Sequence, residues 1–423
     1  MQGNPLNIIL LIAVLLLIDV YVLNGLRGTP KKWKLFHYKY FPVIHFAVAA
    51  LLLGVLLLAV YVKMDNMIRL GLVMLFFIVL LFKLCFVLIL LVDDLRRLAI
   101  ITKNRFKTKS SSSPAHINTI PRSEFLVKAG LLAGAIPLVG LKVSMKSNLY
   151  DYHIKRHTIY LPNLPKAFDG IQLGQISDIH SGSFFNRKAV LGGVEMLLKE
   201  KNDLIFFTGD LINQYSYEMR DYVDIFSKVK APLGVFSSLG NHDYGDYWNW
   251  PTEKDKIDDH KTLIKLHKQM GWDLLRNENR RLKINGEEIG ILGCENWAEM
   301  SRFPKYGKMD LTVKNTDDLP VKLLLSHDPS HWRAQVLPEY PQIDMMFAGH
   351  THGMQFGVQT AHFQWSPIEY VYKEWAGLYH QNQQQLYVNV GYGFLGIPGR
   401  VGILPEITIF TLKAGPAPNS LNA

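Results

Sequence analysis

Three long apolar runs dominate the front of the chain, at Leu6–Leu23, Phe41–Val62 and Leu70–Val92. The second has 22 residues. At ~1.5 Å of rise each it spans ~33 Å, the thickness of a bilayer's hydrocarbon core. None shows the polar face of a helix that packs on a soluble core, so residues 1–93 predict a module of three transmembrane helices. The first run lacks a basic stretch before it and a small-residue cleavage site after it, and reads as a span rather than a signal peptide. Residues 94–150 predict a basic linker, polar at Ser110–Pro114, followed by a weaker apolar helix at Phe125–Val143. The uncharged part of that helix, 129–141, is only 13 residues. A fourth span and a helix lying flat in the interface both stay open.

From Asp151 the pattern changes to short apolar runs that read as buried strands. They fall at Ile171–Ile176, Leu204–Phe207, Val235–Leu239, Ile289–Leu292, Lys322–Leu325, Met345–Ala348, Tyr387–Val390 and Ile407–Leu412. Helical spacing recurs between them, at Lys188–Lys199 and at Asp258–Met270 before the C-capping Gly271. The alternation predicts an α/β domain over 151–412, a mixed sheet with helices outside, and a disordered tail at 413–423.

Charge sharpens the division. The formal net charge of +10 arises in residues 1–124, and the remainder balances 31 basic against 31 acidic residues. A neutral larger part excludes nucleic acid as a partner, since phosphate backbones demand clustered Lys and Arg on the domain that binds them. The basic loops after the first and third runs place those loops in the cytoplasm and the N-terminus outside. The side of the larger domain then turns on Phe125–Val143: crossing puts it outside, lying flat keeps it inside. Asp19 and Lys83 lie within the spans, where charges are costly; a snorkelling lysine or an interhelical pair is expected ahead of a functional role. Cys85 and Cys294 fall in unlike regions, so no disulfide partner is expected.

The residues just beyond the strands carry the chemistry. In order along the chain come Ser177-Asp178-Ile179-His180, Thr208-Gly209-Asp210, Gly240-Asn241-His242-Asp243, Ser326-His327-Asp328 and Gly349-His350-Thr351-His352-Gly353. Ligand crevices of open α/β sheets lie beyond the carboxyl ends of strands, so five segments are expected to deliver oxygen and imidazole donors to one place. Such donors suit Mn²⁺, Fe, Zn²⁺ or Mg²⁺, and they exceed what one tetrahedral ion accepts. The pairs Asp178/His180 and His350/His352 are expected to point the same way from extended backbone and share a centre. The glycines before Asp210, Asn241 and His350 are expected to let the chain turn sharply.

This ordered series resembles the calcineurin-like metallophosphoesterases, and its Ser-Asp-Ile-His-Ser-Gly start resembles their membrane-attached bacterial branch. The resemblance implies a four-layer α/β/β/α sandwich behind the transmembrane module. It implies two divalent metal ions, one held by Asp178, His180 and His352, the other by Asn241, His327 and His350, with Asp210 bridging. His242 would be the catalytic general acid, oriented by Asp243. It also implies a multi-pass protein of a bacterial inner membrane.

For substrate contacts the sequence offers Tyr247 and Trp248 in an aromatic stretch after the third motif, and Arg400 in a glycine-rich run. The arginine reads equally as a phosphate ligand or a loop brace. Membrane lipids are expected neighbours. The leading expectation is a phosphoester or pyrophosphate substrate that is lipid-linked, of the UDP-diacylglucosamine type. The alternatives are a nucleotide or general phosphodiesterase of the cell envelope, and a non-catalytic membrane protein with a structural metal site.

Overall fold

The computed structural model describes residues 5–29, 33–62, 66–108, 124–143, 148–360, 363–396 and 399–416. Two compact units divide the chain, Met1–Val143 and Ser144–Ala423.

The first unit is helical: α1 (Pro5–Arg27), the short α2 (Lys34–His37), α3 (Phe41–Tyr61), α4 (Asn66–Thr108) and α5 (Glu124–Val143). Stretches long and apolar enough to cross a bilayer lie at Phe41–Ala59 in α3 and Leu75–Lys103 in α4. The linker expected from residue 94 does not begin there, because α4 continues to Thr108. Asp93 pairs with Arg96 at 2.9 Å and Asp94 with Arg97 at 3.1 Å, each one turn apart, which carries the helix past its apolar part. The rest of the expected linker, 109–123, lies outside the described residues.

Val22, Leu26, Phe86, Leu90 and Val127 make the buried centre of this unit. Helix α5 runs antiparallel along the apolar part of α4. Gly130 lies against the Phe86 ring and Gly134 against Phe82, so close that a Cβ at either position would collide. Small residues at such a seam let two helices approach without side chains between them. Within the spans, the Asp19 carboxylate receives the Lys83 ammonium at 2.6 Å and meets His45 Nε2 at 3.0 Å. Three helices thus contribute to one closed charge cluster.

The second unit holds two six-stranded mixed sheets. Its strands are β1 (His153–Leu161), β2 (Gln172–Ile176), β3 (Leu204–Phe207), β4 (Val235–Ser237), β5 (Asp273–Leu274), β6 (Glu278–Ile284) and β7 (Glu287–Gly293). The series continues with β8 (Lys322–Leu325), β9 (Met345–Ala348), β10 (Val358–Gln359), β11 (Gln364–Trp365), β12 (Gly377–Gln381), β13 (Gln384–Val388) and β14 (Glu406–Ala414). One sheet has the order β1-β14-β2-β3-β4-β5 and the other β12-β13-β9-β8-β7-β6, while β10 and β11 form a separate ribbon. The run β2-β3-β4-β5 is parallel, and so is β13-β9-β8-β7.

Side chains that alternate along these strands build the layers. Leu173, Leu204, Phe206 and Phe236 of the first sheet meet Ile291, Leu323, Leu325, Met345 and Phe347 of the second in the central core. The opposite face of the first sheet, with Ile205, Phe207 and Val235, is covered by α6 (Arg187–Lys199), α7 (Val223–Phe226) and α8 (Glu253–Met270). The outer face of the second sheet, with Leu292, Leu324 and Met346, is covered by Trp332, Val336 and Ile343 from short helical turns. This is the metallophosphoesterase α/β sandwich, with a thin fourth layer.

Two expectations change. β14 runs through Lys413 and Ala414, paired with Tyr160 and Leu161, so the strand extends into the expected tail; residues 417–423 lie outside the described residues. β1, β6 and β12 escape an apolar-run reading because polar residues alternate along them, as in His153–Leu161.

Candidate metal centre

The five motif loops leave β2, β3 and β4 of one sheet and β8 and β9 of the other at the strands' carboxyl ends. Two groups of donors converge there. Asp178, His180 and His352 form one and Asp210, His327 and His350 the other, with the donor atoms of each within 4.8 Å of one another. Asn241 joins the second group through its Oδ1, 2.8 Å from His350 Nδ1. The groups touch each other: His180 Nε2 lies 3.5 Å from Asp210 Oδ2 and His327 Nε2 3.9 Å from Asp178 Oδ1, while within the second group His327 Nε2 lies 3.1 Å from Asp210 Oδ2. All seven candidate metal-ligand residues are brought together.

The pairs do not sit on extended backbone as expected. Asp178, His180, Asp210, His350 and His352 all have positive φ, between 47° and 74°. Left-handed geometry at an ordinary residue costs about 1–2 kcal/mol, and such strain concentrates where a side chain must be aimed. Its effect is to split the pair from β9, sending His350 to one group and His352 to the other. Of the glycines, only Gly209 has a turn's positive φ, at +97°. Gly240 and Gly349 serve close approach instead, since a Cβ would strike Asp210 in the first case and Ser177 and Asp178 in the second.

Surrounding groups aim the donors. His327 Nδ1 lies 2.7 Å from the Thr208 carbonyl, which turns Nε2 toward the carboxylates. His350 Nε2 meets the Tyr372 hydroxyl at 2.7 Å and Asp328 Oδ2 at 3.3 Å, which turns its Nδ1 inward. Both Asp178 oxygens accept the His350 backbone N–H, at 3.0 and 3.1 Å. Burial pushes the Asp178 and Asp210 carboxyls up, but the adjacent histidines more than reverse this and hold both well below the usual range.

Both ring nitrogens of His180 lack a hydrogen bond with a described group, and Nε2 of His327 and His352 have only the carboxylates, at 3.1 Å from Asp210 Oδ2 and 3.3 Å from Asp178 Oδ1. Unsatisfied buried donors and acceptors are costly, and here they face ionised carboxylates. This hard, mixed oxygen and imidazole set fits a pair of divalent cations.

His242 stands at the edge of the cluster, its ring 4.9 Å from that of His180. Its Nδ1 lies 2.6 Å from the Asn213 carbonyl and its backbone N–H donates to Asp210 Oδ1 at 2.9 Å. Asp243 does not orient it. The Asp243 carboxylate accepts the backbone N–H groups of Asp210, Leu211 and Gly240 at 2.8–2.9 Å. Burial and then the Asp210 charge push it up to about 7. Asp243 therefore shapes the Asp210 loop, and the Asn213 carbonyl takes the role expected of it.

Of the expected substrate contacts, Tyr247 is at the site, its ring 4.5 Å from His242 and its hydroxyl accepting Asn241 Nδ2–H at 2.9 Å. Trp248 packs one step away, on Tyr215 at 5.0 Å. Arg400 cannot reach a substrate: it is fully buried, its guanidinium donates to the carbonyls of Val390, Gly391 and Gly393, and one nitrogen lies 3.3 Å from His352 Nδ1. It braces the glycine-rich loop behind His352. The sequence reading missed Asn213 and Tyr372, which stand in no motif, and gave no role to Asp328, although it directly follows a ligand in Ser-His-Asp.

A two-sheet sandwich whose strand ends gather two His/carboxylate groups defines a class, the binuclear metallophosphoesterases. Comparison with known proteins agrees. Residues 171–354 match the family model "Calcineurin-like phosphoesterase", and residues 5–149 match "Probable Calcineurin-like phosphoesterase, transmembrane domain". The uncharacterized metallophosphoesterase YkuE of Bacillus subtilis is 31% identical over 264 residues, covering 61% of this chain and 84% of that protein. A transmembrane protein with metallophosphoesterase domain from Danio rerio is 29% identical over 265 residues, covering 60% of this chain but only 56% of that protein. An uncharacterized metallophosphoesterase of Campylobacter jejuni is 24% identical over 278 residues, 64% of this chain and 66% of that one. The chain belongs to the calcineurin-like metallophosphoesterases and carries a transmembrane domain in front of the catalytic fold.

Proposed function

We propose that this chain is a membrane-anchored hydrolase that cleaves a phosphodiester or pyrophosphate bond in an amphiphilic substrate at the cell envelope. The observation that carries the hydrolase reading is the convergence of buried imidazoles with the carboxylates of Asp178 and Asp210 in two three-residue donor groups. Two divalent ions held there by Asp178, His180, His352, Asn241, His327, His350 and the bridging Asp210 would polarise the phosphate and lower the pKa of an attacking water. His242 is the general acid: with Nδ1 held by the Asn213 carbonyl, Nε2 is free to give a proton to the leaving oxygen. A structural metal site would not need this histidine, which speaks against the non-catalytic alternative.

Two features support the amphiphilic substrate. The transmembrane domain keeps the enzyme at a lipid surface. Beyond the last motif, Met354, Phe356, Val358, Phe363, Tyr370 and Val371 expose large apolar side chains within one short stretch. For sidedness, α5 lies along the apolar part of α4, which favours a fourth crossing over a helix lying flat. With the N-terminus outside, four crossings put the catalytic domain outside as well. Envelope lipids and exported phosphoesters then become better candidates than a cytoplasmic UDP-diacylglucosamine-type reaction.

The test is hydrolysis of bis-p-nitrophenyl phosphate by the full-length protein in detergent with Mn²⁺. Turnover abolished by chelator and restored by metal is expected; metal-independent turnover, or none, overturns the assignment. Protease accessibility of the catalytic domain in intact spheroplasts decides the side.

A further inference from the structure

With Arg400 sealed behind His352, the cation at the mouth of the site is a different one. Arg302 is exposed on the loop that follows β7, and its guanidinium lies 4.7 Å over the Phe303 ring. That ring in turn stands edge-on to His350 at 4.8 Å. Among the described residues Arg302 makes no ion pair, unlike Arg276, Arg280, Arg281 and Arg333 nearby in sequence, each of which holds a carboxylate. A guanidinium beside a phosphate site with all its N–H groups free is an anion receptor.

The loop that carries it is tied down. The Asn296 carbonyl accepts the N–H groups of Tyr306 and Gly307 at 2.8 and 3.0 Å, and Asn296 Nδ2 donates to the Pro304 carbonyl at 2.8 Å. Tyr306 packs on Tyr244 at 4.2 Å, and the Tyr244 hydroxyl accepts the Asn296 N–H. Tyr244 follows the Asn241-His242-Asp243 motif directly, so the loop is fastened to the catalytic segment itself. Across the mouth, the Tyr247 hydroxyl accepts from Asn241 and keeps its own proton to donate. Tyr247 and Tyr372 each hydrogen-bond a candidate ligand of the group that Phe303 packs on, Asn241 and His350 respectively.

Resting on the phosphoesterase reading above, we propose that Arg302, with the Tyr247 hydroxyl, forms a second anion subsite at the mouth of the metal centre. It would bind a phosphate or carboxylate adjoining the scissile phosphate, so that the preferred substrates are diphosphate diesters or similarly anionic esters rather than simple diesters. Phe303, with the guanidinium over its ring, packs on His350.

The test uses full-length protein in detergent, loaded with Mn²⁺, and measures binding of methyl phosphate and methyl diphosphate by calorimetry. Arg302→Gln is expected to weaken methyl diphosphate about tenfold, the worth of one charge-assisted hydrogen bond, and methyl phosphate less than about twofold, with Mn²⁺ content unchanged. In turnover, the same variant is expected to raise KM for a diphosphate diester with kcat preserved, and to leave bis-p-nitrophenyl phosphate unaffected. Equal weakening of both ligands, or of neither, overturns the subsite. The two readings fail separately: a diphosphate preference that depends on Arg302 without any hydrolysis sinks the enzyme assignment alone, and hydrolysis without that preference sinks the subsite alone.

Discussion

Both halves of this protein bury charge, and they do so to opposite ends. In the helical unit Asp19 is closed off by Lys83 and His45, so that a carboxylate, an ammonium and an imidazole satisfy one another between three helices. In the catalytic unit Asp178 and Asp210 are also buried among histidines, but there four imidazoles and two carboxylates crowd into two groups of metal-binding dimensions. The first cluster balances itself and its role is to hold helices in register. The second gathers more donors than its two carboxylates need, which is what a cation site requires. Burial alone does not mark a functional site; several buried donors converging on one point do.

The sharpest way to break this contrast is to change the histidine at the edge of the open cluster and then a carboxylate within it. His242→Ala is expected to lower phosphoesterase turnover by about 10²–10⁴-fold, the usual worth of a general acid, with bound Mn²⁺ unchanged by elemental analysis. Asp210→Asn removes the charge shared by both groups, and is expected to cost bound metal as well as turnover. If His242→Ala lost metal, or Asp210→Asn kept both, the roles given to these side chains would be wrong.

Lys83→Met tests the closed cluster. It leaves the Asp19 carboxylate with His45 alone and is expected to destabilise the helical unit by up to about 3–5 kcal/mol, read by thermal unfolding in detergent, with the catalytic unit's metal content untouched. The double change Asp19→Leu with Lys83→Met is expected to regain most of that loss, because no unpaired charge remains. A silent single variant would show that the cluster does not hold the helices together.

A smaller effect separates a buried histidine with no site role from the ligands. His267 is sealed in the core beside Ser237 Oγ at 3.0 Å, and burial pushes it down to about 3. Below pH 6.5 the unfolded chain takes up a proton that the folded chain refuses until about pH 3. This residue therefore makes the catalytic unit lose up to about 1.4 kcal/mol of stability per pH unit as acid is added through that window. His267→Gln is expected to flatten that slope in denaturant titrations at pH 4–6 without changing turnover at neutral pH.

Much of the molecule is legible from the chain alone, for identifiable reasons. A bilayer requires long unbroken apolar runs, and those at Phe41–Val62 and Leu70–Val92 can be read directly, although the continuation of α4 cannot, since it rests on Asp93–Arg96 and Asp94–Arg97 pairs rather than on apolar length. The seven candidate ligand residues stand out because short buried strands must end in loops, and five of those loops carry donors. β1 is not legible, because an edge strand with one solvated face alternates instead of running apolar. Asp243 and Arg400 mislead for a shared reason: a charged side chain near a motif looks catalytic until its hydrogen bonds are traced, and both spend theirs on backbone groups.

The sequence by itself determined the class of chemistry, the two-part organisation and the identity of the donors, because these depend on residue type and on order along the chain. Only the tertiary structure decided which donors group together, what orients His242, and which arginine faces the mouth of the site. Those outcomes depend on left-handed turns at His350 and His352, on the Asn213 carbonyl and on loops packed across two sheets. Such relations join residues far apart in the chain, and local pattern carries no record of them.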